Sequence, residues 1–142
     1  MSADLNLIHR TFQSMSADTG EQWLTRTYAL FAERCPEGAA LWATPDVNSQ
    51  GKMFNAILLS VMDGLTQPET QHRNLVSDVR EHKGYGVDRA MYGLFLHAMG
   101  DALREVGGEA IPDEEFSAWE RQLRAIEGQV GRLSEQQEGG EE

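Results

Sequence analysis
Three polar side chains stand on otherwise apolar helical stripes, and the chemistry open to this sequence starts with them. His82 closes the line Leu75, Val79, His82 at steps of four and three, so in a helix it points where the core residues point. A histidine placed this way is either a satisfied core residue or an axial ligand to a haem iron. Neutral imidazole is a good iron donor, and the last turn of a helix leaves room for a flat ring. The ligand role needs an acceptor on the other ring nitrogen to fix the tautomer, and an apolar wall, which Val76 and Val79 would supply. Tyr28 lies between Leu24 and Phe31 on a second stripe, and its hydroxyl needs a partner or a cavity if buried. Gln50 opens a third stripe beside Met53, Phe54 and Ile57. An amide there is half exposed at a helix end or aimed into the core.

The other reactive side chains read as structural. His72 precedes His82 by ten residues, about 15 Å along a helix axis, too far to share a metal. His9 and His97 lack partners at metal-ligand spacing. Cys35, just before Pro36, suits a small buried hydrophobe. Asp113, Glu114 and Glu115 complement the positive end of a helix dipole rather than forming a catalytic pair. No glycine-rich phosphate loop, Ser/His/Asp order or HExxH motif occurs.

The elements that must position these groups are helical almost throughout. Leu5, Ile8, Phe12 and Met15 give a first helix, and Asp18, Thr19 and Gly20 break it and cap the next. Leu24, Tyr28, Phe31 and Cys35 make the second. Pro36 opens a short turn carrying Leu41 and Trp42, and 43–48 read as loop. Ser49 caps a helix with the stripe Met53, Ile57, Val61 and Leu65, thickened by Phe54 and Leu58. Pro68 and its neighbours stop it, and a shorter helix with Leu75, Val76 and Val79 inward leads to His82. Gly84 and Gly86 turn a tight corner. Asp88 caps a helix with Met91, Phe95, Ala98, Ala102 and Val106, which Gly107 and Gly108 end. Pro112 starts the last helix, where Phe116, Trp119, Leu123, Ile126, Val130 and Leu133 recur at three and four. The residues from Glu135 onward are acidic and expected to fray.

The chain has 142 residues, enough for one domain with a real core. Its 12 Lys and Arg against 23 Asp and Glu give a net charge of −11, which argues against nucleic acid and against an anionic membrane surface. One cysteine excludes an internal disulfide framework and a multi-cysteine zinc site. No apolar run approaches the roughly 20 residues that span a bilayer. The start MSADLNLIHR lacks the pattern of a secretory signal, so a cytoplasmic location is expected.

Residues 5 to 130 resemble bacterial single-domain globins related to the globin half of flavohaemoglobins. Arg80-Glu81-His82-Lys83-Gly84-Tyr85-Gly86-Val87 resembles their proximal-histidine corner. Tyr92 falls on the tyrosine beneath the haem, and Trp119 on the tryptophan of the last helix. Gln50 falls on the distal glutamine and Tyr28 on the distal tyrosine. Pro36 falls on the proline that opens the short third helix. The resemblance implies an all-α globin fold, a three-on-three helical sandwich, over residues 1–133, with 134–142 as a disordered acidic tail. It implies haem b ligated by His82, with Trp42, Phe54, Val79, Val87 and Tyr92 as haem contacts and Ile57 and Leu58 as further distal wall. Two departures stand out. Trp42 replaces a near-fixed phenylalanine that packs on the porphyrin, in a loop about two residues shorter. The glutamate that faces the proximal histidine in that family falls on Ser134, with Glu135 beside it.

In function, the resemblance implies reversible O2 binding, for transport or scavenging, with NO and CO as further ligands and Tyr28 and Gln50 as hydrogen-bond donors to the gas. The alternatives are an NO dioxygenase served by a separate reductase, with weak peroxidase activity in the same class, and a gas-sensing or interaction globin. A carboxylate on His82 would favour the enzyme, and its absence simple gas binding. Nothing in the pattern sets an oligomeric state.

Overall fold
The computed structural model describes residues 3–40, 47–84 and 86–139. Among these there are seven α-helices and no strand. They are α1 (Ala3–Ser14), α2 (Ala17–Arg34), α3 (Pro36–Ala40), α4 (Val47–Thr66), α5 (Pro68–Gly84), α6 (Arg89–Gly107) and α7 (Asp113–Gly139), with a 3-10 turn at Gly108–Ala110. No helix of the described residues is long and apolar enough to cross a membrane.

Cap chemistry sets most boundaries. Ser16, rather than Asp18 to Gly20, caps α2, its hydroxyl accepting from the Thr19 N–H at 3.1 Å. Asp18 sits in the first turn, where its charge suits the dipole. Asp88 caps α6 as expected, accepting from the Met91 N–H at 2.9 Å. The break between α4 and α5 is one residue, Gln67. Pro68 stands at the first helical position, where its missing N–H is not needed. So α5 is 17 residues long rather than short. At its end Gly86 takes φ +84, a conformation that disfavours a side chain, and the Val87 N–H closes the corner on the His82 carbonyl at 3.0 Å. The last helix also outruns the expected fraying point, to Gly139, with Glu135 paired to Arg89 at 2.8 Å.

In the packing, α2 lies on α6, α6 on α7, α4 on α5 and α1 on α7. The centre is an aromatic cluster. Trp23 is 1% exposed, packs edge-on against Phe54 and Trp119 at 5.0 and 5.2 Å, and donates from Nε1 to the Met99 carbonyl at 2.9 Å. Trp23, not Leu24, is the main core residue at that level of α2. The buried face of α2 is wide enough to take neighbours on both sides of the expected stripe. On α1 Ile8 is buried as expected, and Thr11 is buried with it, its hydroxyl donating to the buried Glu115 carboxylate at 2.6 Å. Phe12 is 37% exposed and covers Trp119 edge-on.

Candidate functional site
The last turns of α5 bring His82 to the wall of an apolar cavity of about 480 Å³. Its walls come from α4 (Lys52, Met53, Ala56, Ile57, Ser60), from α5 (Leu75, Asp78, Glu81, His82), and from the residues at and after the glycine corner (Val87, Met91, Tyr92, Phe95), with Phe31, Gly38 and Ile126 completing them from α2, α3 and α7. A volume in that range suits a sizeable organic ligand. Leu75 and His82 lie roughly 10 Å apart along α5, so the space is long as well as wide.

The imidazole is fixed. Nδ1 of His82 lies 2.7 Å from the Asp78 carbonyl oxygen, one turn back. A carbonyl only accepts, so in the neutral ring Nδ1 carries the proton and Nε2 keeps its lone pair. Among the described residues no hydrogen bond occupies Nε2. Tyr92 packs edge-on against the ring at 5.3 Å. Burial raises the Tyr92 pKa, with a smaller contribution from Asp78, so the phenol stays protonated. Burial also raises the Asp78 carboxyl, a rise opposed by His82 and helped by Glu81.

Of the other expected contacts, Val87 and Tyr92 line this cavity. Val79 lines a neighbouring one of about 440 Å³, which shares Val87 and Tyr92 as walls and includes Lys83, Val130 and Ser134. Phe54 turns away from both to pack on Trp23. Ile57 faces the main cavity, while Leu58 packs against the core beside it. Tyr28 and Gln50 meet each other: the Tyr28 hydroxyl donates to the Gln50 backbone carbonyl at 3.0 Å, and neither residue is among the cavity walls. Burial raises the Tyr28 pKa as well, keeping it a donor. Trp42 lies outside the described residues. Glu135 takes Arg89, so the acceptor on His82 is a backbone carbonyl and not a carboxylate.

Sequence reasoning missed Lys52, Ser60 and Asp78 as wall residues. Ser60 carried a usable signal. It stands three residues after Ile57 and seven after Met53, a polar residue on an apolar stripe just as His82 is. Its Oγ is buried and makes no hydrogen bond.

The globin family model matches residues 25–130. The chain belongs to the globin family. Its all-α architecture is thus the globin fold, and globins bind haem and small gas ligands. Comparison with curated protein sequences finds no match. The residues present suit the group this family carries. A histidine with its tautomer fixed and one nitrogen available, on the wall of an apolar space, is the donor that haem iron takes. His72, by contrast, is on the exposed outer part of α5, and His97 pairs with Glu127 at 3.1 Å. Among the described residues no cluster of His, Cys, Asp and Glu forms a rival metal site.

Proposed function
We propose that this globin holds haem b through Nε2 of His82 and binds O2 reversibly on the far side of the ring, as a cytoplasmic protein of the flavohaemoglobin-related single-domain type. The observation that carries the reading is the 2.7 Å contact of His82 Nδ1 with the Asp78 carbonyl at the edge of the cavity. It presets both the tautomer and the ring plane before any cofactor arrives. When bound, haem supplies an iron centre that takes a diatomic gas, O2, NO or CO. Val87 and Tyr92, beside His82, would help to hold the group, and the apolar Met53, Ala56 and Ile57 would keep water from it.

Tyr28 and Gln50 remain the donors proposed for the gas. The Tyr28 hydroxyl has one proton and spends it on the Gln50 carbonyl. Serving the gas therefore means exchanging one acceptor for the other. Reversible binding is favoured over NO dioxygenase or peroxidase chemistry by the acceptor on His82. A neutral carbonyl pushes less electron density through the imidazole than a carboxylate does, and Glu135 is engaged with Arg89. The enzyme reading also needs a separate reductase.

Replacing His82 by alanine tests the assignment. The variant is expected to lose haem uptake, read as loss of the Soret band after titration with hemin, while its far-UV circular dichroism stays that of the parent. Unchanged axial ligation in that variant refutes it.

A further inference from the structure
We infer that Gln71, which is not among the cavity walls, is a positioning residue: its side-chain amide ties three of the wall helices together and thereby sets how firmly the haem is retained. The inference rests on the haem reading above and goes beyond it, to the residue that holds the cavity at its width.

Gln71 stands one turn past the joint at Gln67 and is 5% exposed. A buried amide is costly unless its polar atoms are used. Here they are used on two other helices. Nε2 donates to the Ser60 carbonyl of α4 at 2.8 Å, and Oε1 accepts from Nε2 of Gln129 on α7 at 2.8 Å. The Ser60 carbonyl can only accept, so the amide cannot be turned over without losing that bond. Each anchor adjoins the cavity. Ser60 is itself a wall, Leu75 is a wall one turn beyond Gln71, and Ile126 is a wall three residues before Gln129.

A second feature of the sequence fits the same device. Gly64 lies in the last turn of α4, and a glycine inside a helix weakens it. A Cβ there would stand 2.9 Å from the Gln71 Cδ and 3.0 Å from its Oε1. The bare backbone at Gly64 is what admits the amide between α4 and α5. An apolar side chain at position 71 would pack at a range of helix spacings, whereas an N–H···O bond holds its atoms within about 2.7–3.2 Å. The amide therefore fixes the separation of α4 from α5, and that separation is the width left for a flat group held by His82.

The test loads the protein with hemin and follows its transfer to an excess of a haem-free acceptor protein, with urea unfolding as the measure of global stability. Gln71→Ala removes both bonds, and Gly64→Ala displaces the amide while leaving Gln71 in the chain. Each is expected to lose hemin about tenfold faster than the parent. The iron–histidine stretch in the ferrous resonance Raman spectrum is expected to stay that of the parent, because His82 keeps its own anchor on Asp78. The double variant is expected to match Gln71→Ala, since both changes break one device. Thr11→Val is the control. It gives up the buried bond to Glu115 and is expected to lower stability to urea with hemin loss unchanged. Parental loss rates in Gln71→Ala and Gly64→Ala, additive effects in the double variant, or an equal rise in Thr11→Val overturn the inference and leave His82 as the haem ligand. Should Gln71→Ala not fold, Gly64→Ala and Gln129→Leu carry the same test. A parent with no Soret band after hemin titration refutes the haem reading and this inference with it, which tells the two failures apart.

Discussion
At the scale of the residue, the informative side chain is Tyr28, because its only proton is already in use. A hydrogen bond to a gas carrying partial negative charge is worth about 1.5–3 kcal/mol, and the bond given up to the Gln50 carbonyl about 0.5–1.5 kcal/mol. The net gain then lies between about 0 and 2.5 kcal/mol, centred on about 1.3 kcal/mol. Tyr28→Phe is expected to speed O2 release about tenfold, with a smaller effect on CO, in stopped-flow displacement of the gas. Equal acceleration of both gases removes the donor role. The sequence made His82 legible because a polar residue on an apolar line is conspicuous in one dimension. It did not reveal that Tyr28 would point at a backbone atom. That depends on how close α4 comes to α2, which no residue type or spacing encodes.

At the scale of the element, the corner between α5 and α6 positions the imidazole. Gly86 takes the positive φ, the Val87 N–H returns to the His82 carbonyl, and Asp88 starts the next helix. Asp88→Ala removes the cap and is expected to lower unfolding free energy by about 1 kcal/mol, measured by urea titration of the parent and variant. Gly38 matters for a different reason. A Cβ there would stand 2.6 Å from Phe31 Cζ and 3.0 Å from Cys35 Sγ, so α3 closes on the cavity-lining Phe31 only because that side chain is missing. Caps and breakers at Asp88, Pro36 and Gly107 were readable because each acts on its own few residues. The length of α5 was not. A proline reads equally as a stop or as a first-turn residue, and only the packing of α4 against α5 decides between them.

At the scale of the whole molecule, the net charge of −11 is spread over helices that exposed ion pairs tie together. Such pairs contribute little each, but Asp4 and Arg121 join the first helix to the last through two contacts, at 2.7 and 3.2 Å. The hydrogen bond from Arg121 holds the Asp4 carboxyl below its usual pKa of 3.8. A lowered folded pKa gives stability that is present above the unfolded value and lost as pH falls through the folded one. Asp4→Asn is expected to be slightly less stable than the parent at pH 6, and the gap is expected to close below about pH 4. Thermal melts of both proteins across that range check it. A gap that does not narrow as pH falls below about 4 rules out the ion pair as its source.

The single residue between α4 and α5 has a last consequence. Gln67 joins the two cavity walls like the spring of a clothes-peg, while Met53 and His82 sit toward the free tips of the jaws. A guest as broad as a porphyrin would enter more easily at the unjoined ends than beside Gln67. The rate of loading is then set by how readily the jaws part there, and lengthening the spring with a few glycines should change how fast the guest enters more than how firmly it is held.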